Sequence, residues 1–376
     1  MAITNKKLII GLLGVVTFFS ACEKKEDEVP TTVNDNGYTI PTTYSFERNG
    51  STTVSYSGQT ARLDMSDELS AYLNAANSGT ILSASVMRNM YANENSPFTD
   101  QELNSSSKNL KSKTFASDTA LFFQYFDNAE AASFDAGQEA SNGQAGILTS
   151  NDGNKAYNVD ANGIEWRQVI LKHMMGAVFY YQAVSVYLSD ERMGNSVDNT
   201  NLVDGKNYTL MEHYFDEAFG YFGVPIDFPT NTEGVRYHGK YANKRDALLG
   251  SNNKMMGAFL SGRAAIANDD MVVKDAAVAT IKTEWELIIA ASAIHYLNES
   301  VSNIGDDAIR SHALSECIGF LRSLKYNTDR LISDSQITDV ENFIGTNFYE
   351  VTVPNLNQAR DLISSIYGLD NIKAQL

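Results

Sequence analysis

Three of the five histidines in this 376-residue chain have a glutamate four positions later: His213 with Glu217, His295 with Glu299, and His312 with Glu316. On a helix, positions i and i+4 share one face about 5–6 Å apart at Cβ, so each pair offers an imidazole and a carboxylate to one point. Mixed nitrogen and oxygen donors suit Zn, Fe or Mn, and the chemistry expected of such pairs is binding of a divalent or ferric metal ion. A solvated helix face, or a buried His–Glu hydrogen bond that sets helix register, answers to the same spacing.

Angular placement separates the pairs. On a predicted helix over 208–222, His213, Asp216, Glu217 and Gly220 lie opposite an apolar face of Leu210, Met211, Phe215, Phe219 and Phe222. On a predicted helix over 306–325, His312 and Glu316 share their face with Ala308, Ser311, Ser315, Gly319 and Ser323, small residues that let another helix come close. This pair is therefore expected between helices. His295–Glu299 is the weakest pair, since Asn298-Glu299 falls at an expected helix end. His213, Asp216, Glu217, His312 and Glu316 are the candidate metal ligands, with Glu212 behind them. His173 lies in an apolar run and is expected as a hydrogen-bonded core residue, whereas His238, in the polar stretch 236–240, is expected to be exposed.

Other chemistries lack their local signatures. The chain contains no Gly-x-Ser-x-Gly, His-Glu-x-x-His, phosphate-binding glycine loop or Cys-x-x-Cys, so no catalytic residue is assigned and enzyme activity is unsupported. Tyr221, Phe222, Phe228, Tyr237 and Tyr241 gather in and beside a polar region, where aromatics either form a platform for sugars and peptides or cover the core. With 29 Lys+Arg against 46 Asp+Glu, a formal charge of −17, the chain lacks the cationic footprint of a nucleic-acid binder. That acidity makes cationic ligands the natural class to test.

The elements that position these residues read as helices over 66–76, 81–92, 119–136, 164–188, 208–222, 253–267, 272–299, 306–325, 339–343 and 356–367. Only 6 prolines interrupt the whole chain, which suits long helices. Caps are expected at Asp118, at the Asn162-Gly163 turn and at Asn355. Asn49-Gly50 between 42–47 and 52–57 predicts a β-hairpin. No fixed-period repeat occurs. The expected architecture is all-α, a helical bundle with a small N-terminal β-hairpin.

Residues 1–21 carry Lys6 and Lys7, a short apolar run and small residues, too short for a spanning helix and patterned as a signal peptide. Phe19-Ser20-Ala21-Cys22 resembles a lipobox, which makes Cys22 the expected lipidation site and the membrane a partner through the N-terminal lipid. Residues 22–37 read as a flexible tether and 38–376 as one helical domain. Lysines and acids just after Cys22 are similar to the surface-export signal of Bacteroidota lipoproteins, which points to the outer face of an outer membrane; the periplasmic face is the other option. Cys317 alone remains for the folded part, so no internal disulfide is expected, and its apolar neighbours predict burial.

Glu165-Trp166 leading to Met175-Gly176-Ala177, the string Glu217-Ala218-Phe219-Gly220-Tyr221-Phe222-Gly223, and His312-Ala313-Leu314-Ser315-Glu316 followed by Gly319-Phe320 resemble the lipoprotein family known as domain of unknown function 4856. The resemblance runs from about residue 38 to the end. That family is similar in turn to imelysin-like helical proteins, which are associated with iron acquisition and marked by Gly-x-His-x-x-Glu. Here Met211 stands for the glycine, His213 for the histidine and Asp216 for the glutamate. The resemblance implies an imelysin-like fold and a non-enzymatic accessory in acquisition of iron or another metal, alone or chelated. The lost glycine and shortened acid speak against a metallopeptidase. The alternative is a glycan- or peptide-capture lipoprotein partnered with an outer-membrane transporter.

Overall fold

The computed structural model describes residues 37–376 together with the backbone of Thr32–Val33. The signal segment 1–21, the lipidation site Cys22 and nearly all of the tether 22–37 lie outside the described residues.

Strand β1 (Thr32–Val33) pairs antiparallel with β2 (Thr39–Ile40), and β3 (Glu47–Arg48) with β4 (Ser51–Thr52). Asn49 and Gly50 close the second pair at φ of 55° and 74°, the left-handed turn that the Asn-Gly pair predicts. Helices α1 (Ser57–Asn74), α2 (Ala84–Ala92), α3 (Gln101–Ser105) and α4 (Thr119–Ser133) precede a further hairpin, β5 (Gly146–Thr149) with β6 (Ala156–Val159), that local pattern does not announce. The rest is helical: α5 (Trp166–Met174), α6 (Asp190–Met193), α7 (Leu210–Phe222), α8 (Tyr237–Leu249), α9 (Ser251–Ala267), α10 (Met271–Ser302), α11 (Asp307–Ser323), α12 (Asp334–Ile344) and α13 (Val353–Ile366). The expected all-α bundle with its small β-hairpin is what the chain forms.

The central element is α10, which packs on α8, α9, α11 and α13. Its middle is apolar on every side, with Ile288, Ile289, Ala290, Ala291, Ala293, Ile294 and Leu297 all buried, as a helix enclosed by neighbours requires. It runs to Ser302, so His295 and Glu299 sit on regular helix and not at a frayed end. Alongside it, α5 continues unbroken into wider i→i+5 turns over Met175–Tyr187. The small-residue face of α11 does admit a close neighbour. A Cβ on Gly319 would lie 2.4 Å from Lys172 Cβ, and one on Gly176 would lie 2.3 Å from Ser323 Cβ.

Two local readings are corrected. Helix α1 starts at Ser57 because Gln59 and Arg62, polar in pattern, are buried and bonded, Gln59 to Glu217 and Arg62 to the Asn109 carbonyl. The last helix is capped by the Thr352 side chain, three residues before Asn355.

The larger correction is α8, whose charges predict a polar loop with an exposed His238. The stretch is helical, and His238 is fully buried beside Tyr180 and Trp285, with no hydrogen-bond partner for either ring nitrogen among the described residues. Burial pushes this imidazole down to about 3. Its folded pKa is below the unfolded value of about 6.5, so the stability it allows is present above that value and lost as pH falls through the interval. His238→Leu should remove that loss: between about pH 7 and about pH 4 the denaturant midpoint of the variant should fall less than that of the parent. Parallel falls in both proteins would refute the assignment.

Candidate functional site

A cavity of about 530 Å³ opens where α1, α5, α8, α10 and α11 meet. Helical spacing builds its wall. Lys240 and Lys244 on α8, His295 and Glu299 on α10, and His312 and Glu316 on α11 are each an i,i+4 pair turned to the same space. Helix α5 adds Arg167 and Lys172, while Tyr241 and Tyr296 supply hydroxyls; Asp67 and Arg236 stand among the lining residues as well.

The floor is a connected polar network. His312 Nδ1 lies 2.6 Å from Oε2 of Glu165, a fully buried carboxylate at the start of α5 whose own N–H donates to Ser315 Oγ at 2.9 Å. His312 Nε2 is 3.6 Å from Glu316 Oε1, and Tyr157 of β6 stacks on the ring at 4.3 Å between centroids. Glu316 also meets Lys172 Nζ at 3.4 Å and accepts from the Tyr241 hydroxyl at 3.4 Å, which in turn accepts from Tyr296 at 3.4 Å. Burial alone would depress His312, yet the Glu165 and Glu316 carboxylates outweigh it and hold the imidazole above its ordinary value. Burial would raise Glu316, but Lys172 and His312 bring it below the usual carboxylate range. Glu299 moves the other way, raised by burial and by the negative charge of Glu316.

The cations are unevenly paired. Lys172 meets Glu316, Arg236 meets Asp67 at 3.0 Å, and Arg167 meets Glu165 at 3.7 Å. Lys240 and Lys244 of the lining, and Arg245 next to them in the chain but not itself a lining residue, form no ion pair among the described residues; Lys244 Nζ lies over the Tyr241 ring at 5.6 Å. Burial, then repulsion from Lys240, lowers the Lys244 pKa. Arg245 is only 8% exposed, its Nε has no acceptor, and burial lowers its pKa in spite of Tyr296, Tyr241 and Glu299 nearby.

The other candidates sit elsewhere. Asp216 and Glu212 do not face solvent: the N-terminal arm covers the polar face of α7, and a Cβ on Gly220 would lie 2.7 Å from Tyr56 Cβ. Fully buried Arg263 joins the two acids, with Nε to Asp216 at 2.9 Å, Nη1 to Glu212 at 2.9 Å and Nη2 to Thr53 Oγ1 at 2.8 Å. Tyr44 and the Ser55 N–H complete Asp216, and Arg48 completes Glu212. His213 stacks on Tyr208 and is 3.8 Å from Glu217, whose other oxygen accepts from Gln59. Helices α7 and α11 both pack on the wide turns over Met175–Tyr187, but no hydrogen bond or ion pair among the described residues joins the His213–Glu217 group, bonded to Gln59, to the His312–Glu316 group, bonded to Glu165 and Lys172.

As ligands of one ion the five candidates do not fit. Asp216 is fully occupied by donors, Lys172 competes for Glu316, and among the described residues no three His, Cys, Asp or Glu side chains gather as a metal-binding group. Of the aromatics, Tyr221, Phe222 and Phe228 are core, while Tyr237 and Tyr241 line the cavity. His173 is the bonded core residue expected, 3.2 Å from Tyr125 and 2.6 Å from Tyr326, and Cys317 is buried. The four-residue spacing of Tyr237 with Tyr241 and Lys240 with Lys244 is the sequence signal that marks α8 as a wall of the site.

The family model described as Domain of unknown function (DUF4856) matches residues 41–344, a span that includes every cavity residue named above. No curated protein and no solved structure matches the chain.

Proposed function

Starting from a chain that belongs to the DUF4856 family, we propose that the cavity between α5, α8, α10 and α11 captures a small organic anion, and that the protein is a non-enzymatic capture component held at the outer membrane through lipid on Cys22. One observation carries this reading: Lys240 and Lys244 line the cavity one helical turn apart, neither in an ion pair among the described residues, in a chain whose acids outnumber its bases. Grouping unpaired cations costs both desolvation and mutual repulsion, and a bound anion relieves both.

Metal acquisition belongs to this reading when the metal arrives as an anionic chelate. A bare cation would be repelled by Lys172, Lys240 and Lys244, which share the cavity with Glu299 and Glu316. A carboxylate-bearing glycan or peptide, passed on to an outer-membrane transporter, fits the same cavity.

Calorimetric titration of the purified full chain with citrate, with ferric citrate and with glucuronate tests it. At least one anion should bind, and the Lys240→Glu/Lys244→Glu variant should lose about 30-fold or more in affinity. Binding should weaken as salt rises and as pH climbs through the raised His312 pKa, above about 6.5, because a positive charge leaves the cavity. Failure of the parent to bind any of these anions, or equal binding by the double variant, overturns the reading.

A further inference from the structure

Most charges that line the cavity are matched within the protein, and those left over have the inverse form of a ligand. We infer that the captured anion is an acidic zwitterion, with one ammonium group and two carboxylates, as in an acidic amino acid or the N-terminal end of an acidic peptide. Glu299 receives the ammonium, and Lys240 and Lys244 receive the carboxylates. This rests on the anion-capture reading above and deepens it.

Lys172 is matched by Glu316 at 3.4 Å, Arg236 by Asp67 at 3.0 Å, and Arg167 by the buried Glu165 carboxylate at 3.7 Å. Lys240, Lys244 and Glu299 are what remains of the charged lining. Among the described residues Glu299 meets no lysine or arginine within ion-pair distance, and its one such contact is His295 Nε2 at 3.9 Å. Burial, then the positive charge of Arg245, lowers the His295 pKa below its ordinary value, so near neutral pH that imidazole brings Glu299 no countercharge. Two positive charges and one negative charge therefore face the same space unmatched, and a ligand with two negative charges and one positive complements them.

The depth of these groups orients the ligand. Glu299 and His295 on α10 are half-buried, whereas Lys240 and Lys244 on α8 reach solvent, so the ammonium enters first and the carboxylates stay toward the opening. An ammonium carries three donors, and the hydroxyl oxygens of Tyr241 and Tyr296 line the same cavity as further acceptors beside Glu299. A plain dicarboxylate or a phosphate ester would answer the lysines but set more negative charge against Glu299, and an uncharged sugar would leave all three groups unmatched. At about 530 Å³ the cavity is within the usual range for small-molecule sites, and Leu171, Met175 and Val235 offer aliphatic surface to a peptide side chain.

The test titrates the full chain by calorimetry with glutamate, glutamyl-alanine, N-acetylglutamate and glutarate, and repeats the series on Glu299→Gln. N-acetylation and glutarate both remove the ammonium and keep two carboxylates. Glutamate or glutamyl-alanine should bind at least about 10-fold more tightly than either, the scale of one charge-assisted hydrogen bond. The tighter of the two identifies the source as a free amino acid or a peptide. Glu299→Gln should erase the preference for the ammonium. If N-acetylglutamate or glutarate binds as well as glutamate and glutamyl-alanine, the zwitterion inference fails while anion capture stands. If the preference survives Glu299→Gln, the role of Glu299 is overturned. If no acidic ligand binds, citrate included, both readings fail.

Discussion

Replacing Arg263 by methionine should lower the free energy of unfolding by about 3–5 kcal/mol, the cost of removing one member of a buried ionic group. The guanidinium has no exposure and divides its donors among Asp216, Glu212 and Thr53. Without it, Asp216 keeps only the Tyr44 hydroxyl and the Ser55 N–H, and Glu212 keeps Arg48, which is partly in solvent. Two carboxylates, four positions apart on α7, would then stand buried with too little positive charge. Because Tyr44, Thr53 and Ser55 all belong to the N-terminal arm, the loss should appear first as release of residues 44–55. Denaturant unfolding gives the magnitude, and amide hydrogen exchange should show faster exchange in that arm before the rest of the domain opens. Adding Asp216→Asn removes one stranded charge and should recover part of the loss. A change below about 1 kcal/mol would mean that the cluster contributes little beyond an apolar core.

A second large effect is expected at Gly319. Even a methyl group there would meet Lys172 Cβ at 2.4 Å and the His173 backbone nitrogen at 3.0 Å, so α5 must move to admit any side chain. Gly319→Leu should cost about 3 kcal/mol or more, the upper end for overpacking, because the obstacle is partly backbone. The displacement would also draw Lys172 from Glu316 and strain the bonds of His173 to Tyr125 and Tyr326, so capture of an anion should fall with stability. Gly257→Ala is the matched control. That glycine is exposed on α9, no atom lies within 4 Å of the point an added methyl would occupy, and the change should raise stability by about 0.5–1 kcal/mol through helix propensity alone. Equal effects at the two sites would refute the close-approach argument.

Much of this architecture is legible from pattern. Helical periodicity marks the segments that became α4, α7, α9, α10 and α11, and Asn49-Gly50 marks the hairpin, since a period or a turn is a property of neighbouring residues. The small residues of α11 also announce a close helix contact without naming the partner. Where the polar face of a helix ends up is a different matter. On α7 the face holding Asp216, Glu217 and Gly220 looks solvated, and only the return of an arm from residues 44–59 covers it. On α8 the same ambiguity runs through charges that look like a loop surface and instead wall a cavity.

By itself, then, the amino-acid sequence determined the helical class, the hairpin, the acidic balance and the i,i+4 pairing of imidazole with carboxylate, all of them set by residues within about one or two helical turns of each other. Tertiary structure decided which pairs share a site. It joined His295–Glu299 to His312–Glu316 and left His213–Glu217 apart, placed Glu165 behind His312 across 147 positions, and brought Thr53 to Arg263 across 210. Burial and ion pairing depend on which distant surfaces meet, and local spacing carries no record of that meeting.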